Sequence, residues 1–307
     1  MRVLMIGAGA TGGFFGAHLS KAGRDVTFLV RETRAAQLRE RGLEVLSPLG
    51  NFTVWPPLIT ARDLRSSPQT FDLILISTKA DQLADAMEDF APAVGPETVL
   101  LPILNGMRQL SILCDRFGGG HVLGGSVRVV ADLDDQGRVH QATRLGEMSY
   151  GELSGERTSR LSSVDHLLQG AGFDALPQTD IRAALWQKWW ILASLNSICI
   201  LSRGTIGQVA AASRGGEPVH GLIEEATAIA RANGFPPDAT MLADHTKRMT
   251  ETRSPLTASM YRDMLKGAPV EADHILGDLL DRAKGLDTPL LTAAYVQLKV
   301  YEASRQQ

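Results

Sequence analysis

The chain has 307 residues, of which 44% are hydrophobic and 21% charged, a composition typical of a soluble globular protein. Its 31 basic and 34 acidic residues give a formal net charge of -3 without any block of like charge, which argues against nucleic-acid and anionic-membrane partners. No segment is apolar over the roughly 20 residues that a membrane helix needs, so we expect a cytoplasmic protein. The cysteines Cys114 and Cys199 match no metal-ligand spacing, and no metal site is predicted.

The first part of the chain alternates short apolar runs with amphipathic stretches. Buried strands are predicted for RVLMIG, DVTFLV, FDLILIST and TVLLPILNG, and helices for GGFFGAHLSKAG, ETRAAQLRERG and ADQLADAMEDFAPAV. Strands and helices in this order form a parallel sheet through right-handed crossovers. The alternating pattern of residues 123–141, centred on Gln136 and Gly137, predicts a hairpin on the far side of that sheet.

The periodicity becomes helical from about Asp180. Helices are predicted for residues 181–200, 206–213, 217–233, 237–252, 256–266, 270–284 and 288–304. Because this length fits two domains, the predicted fold is α/β: an N-terminal Rossmann-type doubly wound sheet in residues 1–178, then an all-helical C-terminal domain in residues 179–307. We assign NADP binding to the first domain, and substrate binding and dimerisation to the second, since its apolar helices and tryptophans favour a homodimer.

A glycine-rich turn connects the first predicted strand to the first predicted helix. Gly7, Gly9 and Gly12 form the pattern G-x-G-x-x-G, in which the glycines allow a tight turn, close approach of a pyrophosphate, and packing of helix on strand. The predicted dinucleotide site comprises Gly7, Ala8, Gly9, Ala10, Thr11 and Gly12. The alternative is a glycine turn that serves packing alone.

The residue after the second predicted strand bears on the choice between NAD and NADP. A carboxylate there bonds the ribose 2′-hydroxyl of NAD, whereas an arginine suits the 2′-phosphate of NADP. Arg31 stands just after DVTFLV, with Arg34 one helical turn further on, so NADP(H) is the predicted cofactor. Glu32 beside Arg31 weakens the charge argument, and two solvated arginines at a helix start are the alternative, so NAD(H) stays open.

One lysine stands among three tryptophans in the segment LWQKWWILASLN, residues 185–196. An ammonium group buried without a partner costs several kcal/mol, so Lys188 either reaches the surface along its aliphatic chain or faces a functional site. Trp186, Trp189 and Trp190 are assigned to the core or to a subunit contact.

Four further polar residues favour the functional interpretation of Lys188. Asn196 lies two helical turns on, and Asn105 ends a strand at the carboxyl edge of the sheet, where ligands of parallel sheets bind. Ser259 and Glu271 belong to two successive predicted helices. A lysine directed by a carboxylate can donate a proton to a carbonyl oxygen while a nicotinamide delivers hydride to the carbon.

These motifs, taken in order, carry a family resemblance. The N-terminal glycine pattern, Lys79 in ISTKADQ, LNG at 104–106, Lys188, and the segment SMYRDMLKGAPVEAD resemble the ketopantoate reductase family, also called 2-dehydropantoate 2-reductases. The similarity spans nearly the whole chain. It implies a Rossmann domain joined to a helical domain, and the NADPH-dependent reduction of ketopantoate to pantoate in pantothenate biosynthesis.

The resemblance also implies roles for individual residues. Lys188 would be the general acid, and Glu271 would orient it or the substrate. Ser259 would hold the substrate carboxylate, Asn105 would lie near both the nicotinamide and the substrate, and Lys79 would lie beside the cofactor. Asn196 matches a family asparagine and is predicted to bind the substrate.

Two positions depart from the family pattern. Leu192 and Ile206 replace asparagines, while Arg203 appears nearby and either binds an acid group of the substrate or caps the preceding helix. Loss of the two amides at Leu192 and Ile206 predicts a less polar substrate pocket and alters substrate discrimination, so a related 2-keto acid remains open as the substrate. A β-hydroxyacid or opine-type dehydrogenase and a non-catalytic NADP(H)-binding sensor are the alternative functions.

Overall fold

A computed structural model describes residues 1–305, which divide into two compact units. The first contains Met1–Leu104 and Gln109–Ala184, and the second contains Asn105–Arg108 and the chain from Leu185 onward. The sequence placed the boundary after residue 178, whereas the structural division follows Ala184, inside the first long helix of the helical part.

The first part of the chain carries the strands and six α-helices of the described residues. The strands are β1 (Arg2–Ile6), β2 (Asp25–Leu29), β3 (Leu43–Leu46), β4 (Phe52–Val54), β5 (Leu58–Ile59), β6 (Leu73–Ile76), β7 (Val99–Pro102), β8 (Leu123–Leu133), β9 (Val139–Glu152) and β10 (Asp174–Pro177). The helices are α1 (Ala10–Lys21), α2 (Glu32–Arg41), α3 (Ala61–Ser66), α4 (Leu83–Phe90), α5 (Arg108–Phe117) and α6 (Ser159–Leu168).

Five strands form a parallel sheet in the order β5-β2-β1-β6-β7. The central strand β1 pairs with β2 on one side and β6 on the other, and every residue of β6 and β7 is buried. Continuous burial suits a parallel strand because both faces of the sheet are covered. This sheet confirms the Rossmann-type domain that the alternating pattern predicted.

A second sheet is built on the long hairpin of β8 and β9. The two strands pair antiparallel, and their turn closes where Gly137 N–H donates to Asp134 O over 2.8 Å. The hairpin is therefore confirmed, and it begins beside β7, at the far edge of the first sheet, where Leu100 and Val122 form a parallel bridge. Strand β9 also pairs with β3 and β10, and β3 pairs with β4. These short strands carry too little periodic pattern to be predicted.

Helix α1 packs against strands of both sheets, which explains two of its glycines. A Cβ atom on Gly13 would lie 2.7 Å from a methyl carbon of Val139 in β9, and one on Gly16 would lie 2.3 Å from the Phe28 ring in β2. Both distances are shorter than carbon–carbon contacts allow. The glycine-rich start of α1 thus brings the helix close to both layers.

The rest of the chain is helical, as predicted. Its helices are α7 (Ile181–Ser202), α8 (Ile206–Ala211), α9 (Gly216–Ala232), α10 (Ala239–Met249), α11 (Ser259–Leu265), α12 (Asp278–Asp281) and α13 (Pro289–Ser304). The predicted helix 270–284 differs, because residues Asp273–Gly277 form a π-helical turn ahead of α12. Among residues 1–305, no helix has both the length and the apolar character needed to cross a membrane.

Each unit buries one histidine in its core. His18 is 7% exposed with its ring centroid 4.5 Å from that of Phe14, and His245 is 6% exposed with Nε2 2.9 Å from Ser194 Oγ. Burial lowers the pKa of each imidazole to about 4. In the unfolded chain the same rings titrate near the ordinary value of 6.5.

These histidines predict a loss of stability in acid. Between pH 6.5 and about 4 the unfolded state binds protons that the folded state does not. The stabilising contribution of each neutral histidine is therefore fully present above pH 6.5. As the pH falls below 6.5, the free energy of unfolding decreases by up to about 1.4 kcal/mol per pH unit for each histidine. We expect His245→Gln to reduce this slope in denaturant titrations at a series of pH values. The exposed His220 of α9 is the matched control, and an equal effect of His220→Gln would contradict the prediction.

Candidate functional site

The turn between β1 and α1 combines closely packed glycines with open space at the start of the helix. Gly7 has φ +89°, and a Cβ on Gly12 would lie only 2.5 Å from Gly7 O, so these two glycines are needed by the packing of the chain. Gly9 is different, since a Cβ there would meet no atom within 4 Å. It precedes the first turn of α1, which contains no acidic residue. Open space at a helix N-terminus fits the pyrophosphate of a dinucleotide.

Two cationic residues follow the strands on either side of β1. Arg31 follows β2, is exposed and is the N-cap of α2, while Glu32 forms an ion pair with Arg62 at 3.4 Å. Lys79 follows β6, is exposed and precedes the short 3₁₀ turn Ala80–Gln82. Because β2, β1 and β6 are parallel neighbours, Arg31, the glycine turn and Lys79 all come at the carboxyl edge of the sheet. Their cofactor contacts stay predictions.

In the helical unit, Lys188 lies on a half-buried face of α7. Along this face the neighbours of Lys188 are Ala184, Ile191, Leu192 and Leu195, and all of them are also half-buried. Lys188 is therefore a half-buried cationic residue on a face whose other members are apolar.

The three tryptophans lie on the other faces of α7 and belong to the core, as expected. Trp186, Trp189 and Trp190 are at most 2% exposed. The Trp186 ring stacks on Phe235 with centroids 5.5 Å apart, and Trp190 Nε1 donates to Gln187 Oε1 over 2.9 Å. Each indole is therefore held by contacts within the helical unit.

Two buried hydrogen bonds connect α7 to the segments that carry Glu271 and Ser259. Trp189, the residue after Lys188, donates from Nε1 to Ile275 O over 2.9 Å, and Ile275 N–H donates to Glu271 O over 3.1 Å. Farther along α7, Asn196 Oδ1 accepts a bond from the N–H of Met260, the residue after Ser259, over 3.2 Å. The fold thus joins the three segments predicted to bind substrate or move its proton.

The structure corrects the predicted role of Asn196. Its side chain is 0% exposed, with Oδ1 accepting from Met260 N–H and Nδ2 donating to Leu192 O over 2.7 Å. Both ends of the amide are therefore used inside the domain, and we assign Asn196 to positioning α11 rather than to substrate contact. Eight residues along an α-helix exceed two turns by about 80°, and at Asn196 this rotation leads to the buried side of α7 rather than to the half-buried face of Lys188.

Ser259 is not the cap of its helix. Ala258 is the N-cap of α11 and makes no side-chain capping bond, and Ser259 is the first helical residue and half-buried. The hydroxyl group of Ser259 is therefore not used as a helix cap, and Ser259 stays a candidate substrate ligand.

The segment after β7 belongs with the helical unit. Asn105 is half-buried, Gly106 has φ +79°, and Met107 packs against the core of that unit. The turn conformation that Asn-Gly favours is thus present, and it brings Asn105 into the unit that contains Lys188, Glu271 and Ser259.

Shifted pKa values mark the π-helical turn that follows Glu271. Burial by itself would raise the pKa of Asp273, but hydrogen bonds from Tyr295 Oη at 2.7 Å and Lys299 Nζ at 3.0 Å lower it overall. Burial lowers the pKa of His274, and the negative charge of Glu271 opposes that shift. The imidazole of His274 is therefore neutral at neutral pH.

Sequence reasoning missed this turn. Its polar partners Tyr295 and Lys299 come 22 and 26 residues after Asp273, and local helical periodicity does not show a pairing over that distance. A histidine three residues after the predicted catalytic glutamate was the available signal.

Arg203 and Ile206, which follow α7, differ in exposure. Arg203 is exposed, with φ +51°, and directly follows the last residue of α7, so its backbone ends the helix while its substrate contact stays a prediction. Ile206 is 0% exposed, and its N–H donates to Leu256 O over 3.0 Å. The expectation that Ile206 makes a substrate pocket less polar is therefore wrong, because this side chain lies in the core.

Comparison with known proteins identifies the family. A model described as Ketopantoate reductase PanE/ApbA matches residues 3–155, and one described as its C terminal matches residues 180–302. The chain belongs to the ketopantoate reductase family. The prediction from its motifs is thus confirmed, and so is an oxidoreductase function of the ketopantoate reductase or related 2-hydroxyacid dehydrogenase type.

Curated relatives cover the chain from end to end. It is 34% identical over 307 residues to "Uncharacterized oxidoreductase YkpB" of Bacillus subtilis, covering 99% of this chain and 100% of that protein. It is 25% identical to 2-dehydropantoate 2-reductase of Mesorhizobium japonicum, covering 95% and 94% of the two chains.

Solved structures share the whole fold. The 2-dehydropantoate 2-reductase from Methylococcus capsulatus has a TM-score of 0.87 at 25% identity, covering 100% of this chain and 98% of that one. A D-mandelate dehydrogenase solved with NADH and anilino(oxo)acetate has a TM-score of 0.89 at 22% identity, covering 100% and 99%. The similarity to the D-mandelate dehydrogenase, at this low identity, shows a shared fold and nothing about activity.

The corrected role of Asn196 gives a stability prediction. We expect Asn196→Leu to lower the free energy of unfolding by about 1–3 kcal/mol, because Met260 N–H would be buried without an acceptor. The adjacent Ser197 is the matched control: it is equally buried, and its hydroxyl has no hydrogen-bond partner within residues 1–305. Urea unfolding measures both variants, and an Asn196→Leu loss no larger than that of Ser197→Ala would contradict the assignment.

Proposed function

We propose that the protein is an NADPH-dependent reductase of a 2-keto acid, with 2-dehydropantoate as the reference substrate. Family membership supports the reaction class. The observation that carries the proposal for this chain is Lys188, a half-buried amine on an otherwise apolar face of α7, because a lysine in such a place can donate a proton to the carbonyl oxygen of a bound substrate.

The proposed chemistry is one hydride and one proton added across the keto group. A reduced nicotinamide, when bound, supplies the hydride to the keto carbon. The Lys188 ammonium donates its proton to the keto oxygen as negative charge develops there, which yields the 2-hydroxy acid. The Glu271 carboxylate orients this ammonium group or the substrate.

The remaining predicted residues hold the substrate. The Ser259 hydroxyl donates to the substrate carboxylate, and the Asn105 amide binds near the keto group and the nicotinamide. Arg203 attracts an acid group from its exposed position at the end of α7. The bond that Trp189 donates to Ile275 O and the bond that Asn196 accepts from Met260 N–H keep the segments of Glu271 and Ser259 attached to α7.

NADPH is the proposed reductant because of the charges around Arg31. This arginine is exposed at the end of β2, and the adjacent Glu32 pairs with Arg62 instead, so the carboxylate that weakened the sequence argument is engaged elsewhere. A guanidinium group in this position suits the 2′-phosphate of NADP. We propose Lys79 as a second cation for the cofactor phosphates.

The substrate proposed for this site is less polar than ketopantoate in the part that meets Leu192. This side chain lies one helical turn from Lys188 on the same half-buried face, and it offers no hydrogen bond to a substrate hydroxyl. A site without a polar partner discriminates weakly in favour of a hydroxylated substrate. A 2-keto acid with a branched aliphatic or aromatic substituent is therefore the proposed substrate class.

Removal of the Lys188 amine tests the mechanism. We expect Lys188→Ala to reduce kcat by about a hundredfold to ten-thousandfold, the usual contribution of a general acid, while NADPH binding measured by fluorescence is kept. Lys247→Ala on the exposed side of α10 is the control and should retain full turnover. Full turnover in Lys188→Ala would remove the mechanism, and nucleotide binding without NADPH oxidation by the wild type on any keto acid would favour the sensor function.

Substitution of Leu192 tests the substrate class. We expect the wild type to prefer 2-keto-3-methylbutanoate or phenylglyoxylate over ketopantoate in kcat/KM, and Leu192→Asn to improve ketopantoate by about threefold to tenfold, the effect of one hydrogen bond. Leu195→Asn on the same face is the control and should bring no such gain. A wild type that already prefers ketopantoate would refute the assignment.

A further inference from the structure

Arg34 connects the glycine turn to two other elements of the first unit. Its Nε donates to Ala8 O, inside the glycine pattern, over 3.1 Å, and its Nη1 donates to Gln37 Oε1 over 2.5 Å. Gln37 Nε2 in turn donates to Gln136 O, in the turn between β8 and β9, over 2.9 Å. The guanidinium group thus joins the glycine turn, α2 and the hairpin of the second sheet.

The charge of Arg34 is not cancelled by the groups it bonds. Both oxygen partners, a backbone carbonyl and an amide, are neutral, and Nη2 is buried without a hydrogen-bond partner among residues 1–305. Burial lowers the pKa of this guanidinium group, which shows that its charge is partly desolvated. A partly desolvated charge acts over a longer range than one in water.

The bond to Ala8 O also determines the direction of a neighbouring donor. Ala8 C=O and Gly9 N–H belong to one planar trans peptide group, so they point in opposite directions. A guanidinium group that holds the carbonyl on one side therefore holds Gly9 N–H on the other. Gly9 is the glycine of the pattern whose added Cβ would meet no atom within 4 Å.

We propose that Arg34 is a positioning residue for the dinucleotide: it fixes the Ala8–Gly9 peptide so that Gly9 N–H faces the pyrophosphate, and it adds positive charge to that site. The inference rests on the proposed nucleotide function. The inference gives the two arginines different roles. Arg31 meets the 2′-phosphate that only NADPH carries, whereas Arg34 acts on the pyrophosphate that NADPH and NADH share.

The test measures NADPH and NADH affinities, and amide hydrogen exchange of the nucleotide-free protein, in Arg34→Gln, Arg34→Lys and Arg31→Gln. We expect Arg34→Gln to weaken both nucleotides by the same factor, about tenfold or more for loss of a charged hydrogen bond, with kcat at saturating nucleotide unchanged. Exchange should become faster only in the peptides that contain residues 7–13. Arg34→Lys should restore part of the affinity, and Arg31→Gln should weaken NADPH alone without changing exchange.

Three results would overturn the proposal. Unchanged affinities for both nucleotides would show that Arg34 has no effect on the site, and a loss confined to NADPH would make it a 2′-phosphate ligand. Faster exchange across the whole first unit together with a lower midpoint of thermal unfolding would make its role merely structural. If the wild type binds neither nucleotide, the proposed function itself fails, while the exchange measurement still decides whether Arg34 orders the turn.

Discussion

The helical unit depends on the need to pair polar groups that are buried in an apolar core. Helix α7 carries two of them, the indole N–H of Trp189 and the amide of Asn196, and each bonds a backbone group of another segment. An unpaired group in either place would cost about 1–3 kcal/mol. This requirement fixes where the segments of Glu271 and Ser259 lie along α7, and with them the groups proposed to act beside Lys188.

Some glycines of the first unit are required by internal packing, whereas Gly9 is not. Gly12 leaves space for the carbonyl of Gly7, and Gly13 and Gly16 let α1 approach strands of both sheets. Gly9 serves no such contact. The structure agrees with the separate roles that the motif gives to its glycines: Gly7 has the positive φ of a tight turn, Gly12 allows close packing, and Gly9 alone has open space beside it.

Departures from the family pattern have different consequences according to burial. Leu192 is half-buried one helical turn from Lys188, so the replacement of an asparagine there is proposed to affect recognition of the substrate. Ile206 is wholly buried, so the replacement there affects packing of the core. The residues proposed for proton transfer are retained. The proposed less polar 2-keto acid rests on this difference between Leu192 and Ile206, and on the proposal that Lys188 and Glu271 act as the family resemblance implies.

The sequence by itself determined the two-domain plan, the parallel sheet, the helical second half and the family, because local periodicity and an ordered set of motifs carry that information. The sequence also marked Lys188 as a candidate functional residue, because a cation among three tryptophans needs an explanation. Only the tertiary structure decided that Asn196 is an internal link, that Ile206 is core, that a second sheet forms on β9, and that Arg34 holds the glycine turn. Each of these depends on contacts between segments far apart in the chain, and such contacts leave no periodic trace in the sequence.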